Sequence, residues 1–243
     1  MGVLTTGLDI LRILAEAPEP LTATAIAERV GLHVSNVSRT LAVLARHGYV
    51  RKPTYHSFAP DLGVLALAGA AASRLPVVAR TGAVVRELAR ASGLTAALAV
   101  LHRGQVLYLH RCGPVGEGSS AIAGGWPLHL SVVGLRLLLD LPAKEARACL
   151  ALAAKRYGWE RPTPATPADP AACLTAARRR LSGGLLRIDG WDRPGYVAAA
   201  VGVAVAGAPP LALALVDDST IDPAPHLARG AAAIATALTE QSP

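Results

Sequence analysis

The sequence predicts a mixed α+β fold in two domains of unequal size, joined by a short helix. Its 243 residues exceed one average domain and fall short of three. Residues 1–60 alternate short helical periods with turn signals and end in a hairpin pattern. From residue 76 onward, helical and strand patterns are mixed in a way typical of a largely antiparallel sheet covered by helices. We therefore place the domain boundaries at 1–60, 61–75 and 76–243.

The N-terminal 60 residues predict three helices followed by a hairpin. The first helix rests on the apolar positions Leu8, Leu11, Ile13 and Leu14. Thr22 stands where the N-cap of a second helix belongs, and Gly31 supplies its left-handed stop. A third helix is predicted over 34–46, and 49–58 reads as a hairpin with its turn at Pro53-Thr54. Together these elements predict a winged helix-turn-helix.

The third helix has a polar face opposite an apolar one. At about 100° per residue, Val34, Val37, Leu41 and Leu44 form one stripe. Ser35, Arg39 and Arg46 lie on the other side, with Asn36 in the first turn and Ser38 at the edge. From Arg29 to Pro60 there are five Arg or Lys residues and no Asp or Glu. This combination predicts a recognition helix for double-stranded DNA, whereas the helix alone would fit an ordinary solvated surface.

The chemistry of the side chains assigns a role to each predicted DNA contact. Arg39 suits guanine, Asn36 suits adenine, and Ser35 or Ser38 suits a base or a phosphate. Hydroxyls and backbone N–H groups at the start of the second helix would hold a phosphate, and the hairpin would touch the backbone or minor groove. The predicted contacts are Thr22, Thr24, Ser35, Asn36, Ser38, Arg39, Arg46, Arg51, Lys52 and His56.

Residues 61–75 predict a linker helix whose core, Leu62 to Ser73, carries no charge. At about 12 residues this segment is too short to cross a membrane and too apolar to stand alone in water. We expect it to pack against another subunit. The N-terminus shows no basic stretch before an apolar one, so we expect no signal peptide, no membrane and a cytoplasmic protein.

The C-terminal region predicts five helices and six strands. The helices are expected at 76–92, 131–140, 143–155, 170–181 and from 223, and the strands on either side of Arg103-Gly104-Gln105, then at 120–123, 185–189, 197–205 and 211–216. Gly113–Gly118 is glycine-rich without the spacing of a phosphate loop, so an ordinary loop is expected. Cys112, Cys149 and Cys173 lack any metal-ligand spacing, and neither a metal nor a cofactor is predicted.

The sequence resembles the IclR family of bacterial transcriptional regulators. The likeness rests on the segments Gly7–Leu11, Leu21–Leu32, Val37–Leu44 and His47–Val50, and on Trp126–Gly134, which resembles the family's Pro-x-His-Ala-Ser/Thr-x-x-Gly signature. The resemblance implies a homodimer or homotetramer that binds a palindromic operator, more often as a repressor than as an activator. It also implies a GAF/PAS-like effector-binding domain that takes a small organic acid or aromatic compound and has no catalytic activity.

Alignment to the family places the effector pocket at Trp126, Leu128, His129, Val132, Val133, Ile188, Asp189, Tyr196, Ala198, Leu213 and Leu215. Family members that bind small carboxylates anchor them with backbone amides, an Asp, a Cys and serines. Here Val132 and Val133 would supply the amides, Ile188 or Asp189 stands for the Asp, and Ala198 for the Cys. Leu213 and Leu215 replace the serines. The apolar replacements predict an aromatic or apolar ligand, or a domain that has lost its ligand and only oligomerises.

Two pairs of residues raise the possibility of an enzyme. His110 and Cys112 lie two apart, which on a strand places both on one face, and His129 and Ser131 have the same spacing. No third orienting group accompanies either pair. A hydrolase or acyl-transfer enzyme is therefore not predicted.

Overall fold

The computed structural model describes residues 2–113, 120–123, 126–217 and 221–240. Most of the predicted glycine-rich loop, residues 114–118, lies outside these described residues. The chain divides into two units, Met1–Arg74 and Leu75–Pro243. Each unit has a hydrophobic core of its own.

The N-terminal unit has the helix-turn-helix architecture that the sequence predicts. Its elements are α1 (Val3–Glu16), β1 (Leu21–Thr22), α2 (Ala23–Val30), α3 (Val34–Arg46), β2 (Val50–Thr54), β3 (Ser57–Pro60) and α4 (Leu62–Arg74). The strands form an antiparallel sheet in the order β1-β3-β2. The core is built from Ile10, Leu14, Ile26, Val37, Leu41, Val50 and Phe58. The buried apolar residues of α1, α2 and α3 therefore face this core.

The hairpin turn lies two residues beyond its predicted place. Pro53 and Thr54 belong to β2, and the turn falls at Tyr55-His56. Proline lacks an N–H group, but β2 is an edge strand of its sheet and its register shifts between Arg51 and Thr54. An irregular edge tolerates the missing donor, so the proline does not end the strand.

The α4 helix contains no buried residue, and Leu62, Leu65 and Leu67 are all exposed. Among the described residues no single helix is long and apolar enough to cross a membrane. Only α4 and Pro76–Ser92 together reach that length and composition, and they form a bent pair. The packing of α4 against another subunit stays a prediction.

The C-terminal unit is an α+β domain around one antiparallel sheet, as predicted. Its elements are α5 (Pro76–Ala79), α6 (Gly82–Ser92), β4 (Thr95–His102), β5 (Gln105–Cys112), β6 (Ser120–Ala123), a 3-10 turn (Leu128–Leu130), α7 (Val132–Leu139), α8 (Ala143–Tyr157), α9 (Pro170–Arg180), β7 (Leu181–Ser182), β8 (Leu185–Asp189), β9 (Val197–Val203), β10 (Leu211–Asp217) and α10 (Ala224–Thr239). The strand order is β6-β5-β4-β10-β9-β8-β7.

Helices cover both faces of this sheet. On one face, α7, α8 and α9 pack on alternate strand residues such as Ala212 and Ala214. On the other face, α10 approaches β10 so closely that a Cβ added at Gly230 would lie 2.8 Å from Leu213 Cδ2. Because strand side chains alternate, neighbouring residues of β10 belong to different layers of the domain.

The predicted helix over 76–92 is divided in two. Helix α5 ends at Ala79 and α6 begins at Gly82. Between them, Thr81 is fully buried and its hydroxyl donates to the carbonyl of Val77 at 2.8 Å. A hydroxyl bound to the preceding turn competes with the regular helical hydrogen bonds, which favours a break at this point.

Candidate nucleic-acid interface and ligand cavity

Helix α2 begins at a side-chain cap and ends at a left-handed glycine, which leads into the turn before α3. The Thr22 hydroxyl oxygen accepts a hydrogen bond from the Ala25 N–H at 3.2 Å and so begins α2. Gly31, at φ +68°, ends α2 in a conformation that residues with a Cβ rarely adopt. The chain can therefore turn sharply into α3. The Thr22 hydroxyl keeps its own proton for donation to a phosphate.

Helix α3 packs through one face and leaves the other face in solvent. Val37 and Leu41 are fully buried, whereas Val34, expected in the same stripe, is 40 % exposed. All ten predicted DNA contacts are exposed, on β1, α2, α3, β2 and the hairpin turn. Among the residues that the structure describes, no acidic side chain pairs with Arg39, Arg51 or Lys52.

Two of the predicted base-reading residues are joined to each other. The Arg39 guanidinium donates a hydrogen bond to the Asn36 side-chain oxygen, three residues earlier on the same helix face. The Thr40 hydroxyl donates to the Asn36 carbonyl at 3.1 Å. Arg39 and Asn36 are therefore held side by side at the exposed face, with the amide N–H groups and the remaining guanidinium donors free.

On the hairpin, aromatic rings hold the predicted contacts. Lys52 Nζ lies 5.1 Å from the centroid of the Phe58 ring, and His56 meets Tyr55 edge-to-face at 4.8 Å. Each of these contacts restricts a side chain that would otherwise move freely in solvent. The hairpin therefore presents a positive charge in a defined place.

The C-terminal unit contains a cavity of about 150 Å³ on the α7 side of its sheet. Five of the residues predicted for the effector pocket line it, namely Trp126, Val132, Ile188, Tyr196 and Ala198. Ala97 of β4 and Ala198 of β9 form part of its wall. Their small side chains leave the space that larger residues would fill.

The structure places the other six predicted pocket residues elsewhere. Leu128 and Val133 belong to the core. The His129 ring is buried and stacks on Trp159 at 4.1 Å, while Asp189 is exposed and pairs with Arg187 at 3.1 Å.

The assignment of Leu213 and Leu215 to the pocket is corrected by the strand register. Both are buried, and Leu213 faces α10. Val216 of the same strand lines the cavity. A shift of one residue in an alignment moves every side chain of a strand to the opposite face.

A β-bulge explains cavity residues that the sequence pattern missed on β5. Leu98 pairs with His110, but Ala99 pairs with Tyr108, so Leu109 is an extra residue. The bulge changes the alternation, and both Tyr108 and Arg111 line the cavity. His110 instead hydrogen-bonds the Val78 carbonyl at 3.0 Å. No local signal in the sequence marks this bulge.

The turn between β8 and β9 supplies three further residues that the sequence analysis missed, Trp191, Asp192 and Arg193. Arg193 lies 3.7 Å from the Asp192 carboxylate and 4.0 Å from the centroid of the Tyr196 ring. No acidic partner of Arg111 is found among the described residues. The cavity therefore combines aromatic rings with a cation, Arg111, that lacks an acidic partner in the described part of the chain.

The signature segment shapes the cavity through Ser131. Its hydroxyl oxygen caps α7 by accepting from the Gly134 N–H at 3.1 Å, and it shares a hydrogen bond of 2.8 Å with the Tyr108 hydroxyl. Burial raises the pKa of the Tyr108 phenol, which stays protonated. A Cβ at Gly134 would lie only 2.6 Å from Leu128 Cδ1, so an alanine near the start of α7 would displace the buried Leu128 side chain.

We expect the Gly134→Ala substitution to lower the free energy of unfolding by about 1–3 kcal/mol, because the added methyl group overpacks the contact with Leu128. Thermal unfolding followed by circular dichroism measures the loss. Gly69→Ala is the matched control, since no atom lies within 4 Å of the added Cβ and helix propensity favours alanine. Equal stability of Gly134→Ala and the parent protein would contradict the close packing.

Burial lowers the pKa of His129, whose Nε2 hydrogen-bonds the Glu160 carbonyl at 2.8 Å. The unfolded chain then binds a proton more readily than the folded protein, so stability falls as the pH drops below about 6.5. We expect His129→Phe to reduce this acid sensitivity while retaining the stack on Trp159.

Urea unfolding at pH 7 and pH 5 tests this expectation. All three tryptophans lie beyond residue 75, so their fluorescence reports the C-terminal unit. His56→Phe, at an exposed position of the N-terminal unit, should keep the parental pH dependence. An unchanged pH dependence in His129→Phe would show that the neutral ring does not contribute.

The residues that raised the possibility of an enzyme are not arranged for catalysis. Burial raises the pKa of the Cys112 thiol, which disfavours the reactive thiolate. His129 and Ser131 bind different partners, the Glu160 carbonyl and the Tyr108 hydroxyl respectively. Within the described ranges, no cluster of His, Cys, Asp and Glu could hold a metal ion.

Comparison with known proteins gives matches to both units. Residues 3–53 match the IclR helix-turn-helix domain, and residues 69–183 match the bacterial transcriptional regulator IclR C-terminal domain. The chain is 27 % identical to the acetate operon repressor of Salmonella typhimurium over 172 residues, which are 69 % of this chain and 61 % of that repressor. The match thus spans less than two thirds of the repressor's length.

Solved structures share the fold over nearly the whole chain. An IclR family transcriptional regulator from Brucella abortus superimposes with a TM-score of 0.78 at 22 % identity, covering 97 % of this chain and 92 % of the other. An IclR homologue from Microbacterium hydrocarbonoxydans, complexed with 4-hydroxybenzoate, gives 0.70 at 22 % identity, covering 98 % and 99 %. With both domains matched in order, the chain belongs to the IclR family of bacterial transcriptional regulators, which are not enzymes.

Proposed function

We propose that this protein is a repressor that binds a palindromic operator through α3 and the hairpin, and that a small aromatic acid in the cavity changes its affinity for DNA. We infer an aromatic ligand from the number of aromatic side chains that line the cavity. The chain has three tryptophans and five tyrosines, and two of each line the cavity of about 150 Å³. A cavity of this volume holds one benzene ring.

We infer that the ligand carries an acid group because a positively charged side chain lines the cavity. The sequence predicts an apolar pocket, yet Arg111 lines it without an acidic partner among the described residues. Because Arg193 already lies 3.7 Å from the Asp192 carboxylate, we assign the ligand carboxylate to Arg111. The complex of the Microbacterium homologue with 4-hydroxybenzoate supports a ring that carries an acid.

The DNA-binding role rests on the exposed face of α3 and on its charge. Ser35, Asn36, Ser38 and Arg39 are exposed on the N-terminal half of the helix, where a recognition helix meets base edges. Arg51 and Lys52 on β2 would bind phosphate and set the register. The likeness to the acetate operon repressor supports repression as the direction of control.

Assembly as a dimer or tetramer is part of this proposal. Leu62, Leu65 and Leu67 on α4 are each more than half exposed, as are Val3, Leu4 and Leu8 on α1. A second copy that covers these side chains would remove apolar surface from water. Light scattering at micromolar concentration tests it, and a monomer would refute it.

The function is tested by selecting the bound fragments from a library of genomic DNA and footprinting the strongest site. Benzoate, 4-hydroxybenzoate, pyruvate and glyoxylate are then added at equal concentration. We expect a palindromic footprint, and we expect the aromatic acids alone to alter binding. Tighter binding of pyruvate or glyoxylate would refute the aromatic ligand. A footprint that no small molecule changes would favour the alternative in which the C-terminal domain serves only assembly.

A further inference from the structure

The turn between β8 and β9 holds Trp191 in a fixed place. The Gly190 N–H donates to the Tyr196 carbonyl at 2.8 Å, which closes the turn. The Thr166 hydroxyl donates to the Trp191 carbonyl at 2.6 Å, and Thr166 is itself buried. The backbone at Trp191 is therefore bound on both sides and does not depend on the cavity for its position.

The indole of Trp191 lines the cavity and carries an unpaired donor. The side chain is 2 % exposed, and its Nε1 is the buried side-chain atom that finds no hydrogen-bond partner in the described part of the chain. Trp159 offers the comparison, because its Nε1–H donates to the Pro167 carbonyl at 2.9 Å. Buried polar groups almost always have a partner, and a buried donor without one costs stability.

The contacts of the Trp191 ring leave its indole N–H available to a ligand in the cavity. The Arg180 guanidinium lies over the ring face, 5.4 Å from its centroid. The N–H group lies at the ring edge, which this contact does not use. Tyr108 and Arg111 also line the cavity, so an occupant that reaches the indole would meet polar groups from β5 as well.

We propose that the indole N–H of Trp191 is a ligand-recognising donor, and that the ligand places an acceptor oxygen against it. The proposal rests on the proposed function, because it requires that the cavity binds a small molecule. The Trp191 donor would also explain why the site rejects a hydrocarbon of the same shape as the ligand. A ring without an acceptor leaves the buried N–H unpaired, and sites built around a hydrogen bond discriminate strongly against such analogues.

The test compares two probes of similar shape, benzoate and toluene, by calorimetry on the full-length protein. Trp191 is changed in two ways, to phenylalanine and to benzothienyl-alanine, in which sulfur takes the place of the N–H while the ring keeps its size. We expect both changes to weaken benzoate binding about tenfold, equivalent to about 1.4 kcal/mol. Toluene binding to the benzothienyl variant should stay within about twofold of the parent.

A second readout separates recognition from a structural role. Removing an unpaired buried donor without changing shape should leave the ligand-free protein as stable as the parent or more stable. The thermal midpoint of the benzothienyl variant measures this. Trp159→Phe is the control, because it removes a paired indole N–H outside the cavity and should lower stability without changing the ratio of benzoate to toluene affinity.

The outcomes separate a failure of the Trp191 donor role from a failure of ligand binding in the cavity. A parent protein that binds benzoate with an affinity unaffected by either Trp191 change would overturn the donor role and leave the ligand cavity in place. A parent that binds neither probe would overturn the proposed ligand and the donor role with it. A benzothienyl variant that loses stability in the ligand-free state would also count against the donor role, because it would show a partner within the protein.

Discussion

Replacing Arg39 with alanine is expected to weaken binding to the selected operator by about 1–3 kcal/mol, or roughly 5- to 150-fold. Arg39 is exposed on α3, and its guanidinium has donors left over after the hydrogen bond to Asn36. Two parallel donors match the O6 and N7 atoms of guanine. The loss should therefore fall on one base position in each half-site. Fluorescence anisotropy with operators changed one base pair at a time measures it.

Lys52→Ala is the matched comparison for Arg39→Ala, since both remove one exposed cation from the same unit. A phosphate contact carries no base preference, so Lys52→Ala should weaken all sequences alike and lower the slope of log K against log salt by about one. If Arg39→Ala shows the same uniform loss, then Arg39 binds phosphate and another residue reads the base. If it binds every operator as the parent does, Arg39 lies outside the interface.

The sequence was sufficient for features that depend on neighbouring residues. The α3 helix begins at Val34 and ends at Arg46 as predicted, because its apolar period, the preceding Gly31 and the following Gly48 are all local signals. The Thr22 cap and the turn at Arg103-Gly104 are likewise local, and both residues of that turn have positive φ. Such signals place the exposed face of α3, which we propose binds DNA, without knowledge of the tertiary fold.

Features that depend on sheet position could not be predicted in this way. Pro53 would end a central strand, but at the irregular edge formed by β2 it is accommodated, and the hairpin turn moves to Tyr55-His56. Whether a strand lies at an edge is a property of the whole sheet. The local reading of Pro53-Thr54 as the turn was therefore wrong.

The residues that line the cavity were even harder to predict from local sequence, because they depend on strand register. The bulge at Leu109 brings Tyr108 and Arg111 to one face of β5, although their spacing in a regular strand would place them on opposite faces. On β10, the alignment did not include the strand register, so it assigned Leu213 to the predicted pocket. In the structure Leu213 faces α10, and Val216 lines the cavity. The alignment therefore assigned apolar residues to the predicted pocket and left out Arg111, which has no acidic partner among the described residues.

Replacing Arg111 with methionine is expected to weaken benzoate binding about tenfold. The change keeps most of the aliphatic length of the side chain and removes the charge that would pair with the carboxylate. A hydrogen bond to a charged group contributes about 1.5–3 kcal/mol, and because Arg111 is exposed the expected loss lies at the lower end. Binding of benzyl alcohol, which has the ring without the charge, should stay within about twofold. Calorimetry at low and high salt measures both.

Arg187→Met provides the control, because Arg187 is an exposed arginine of the same sheet whose partner is Asp189 outside the cavity. It should leave both affinities unchanged. Equal loss of benzoate binding in the two variants would attribute the effect to the net charge of the domain and not to contact with Arg111. If Arg111→Met alone loses benzoate and keeps benzyl alcohol, the cavity distinguishes an acid from an alcohol by a residue that only the bulge of β5 brings there. The ligand specificity of this regulator would then depend on the bulge residue Leu109, which does not itself line the cavity.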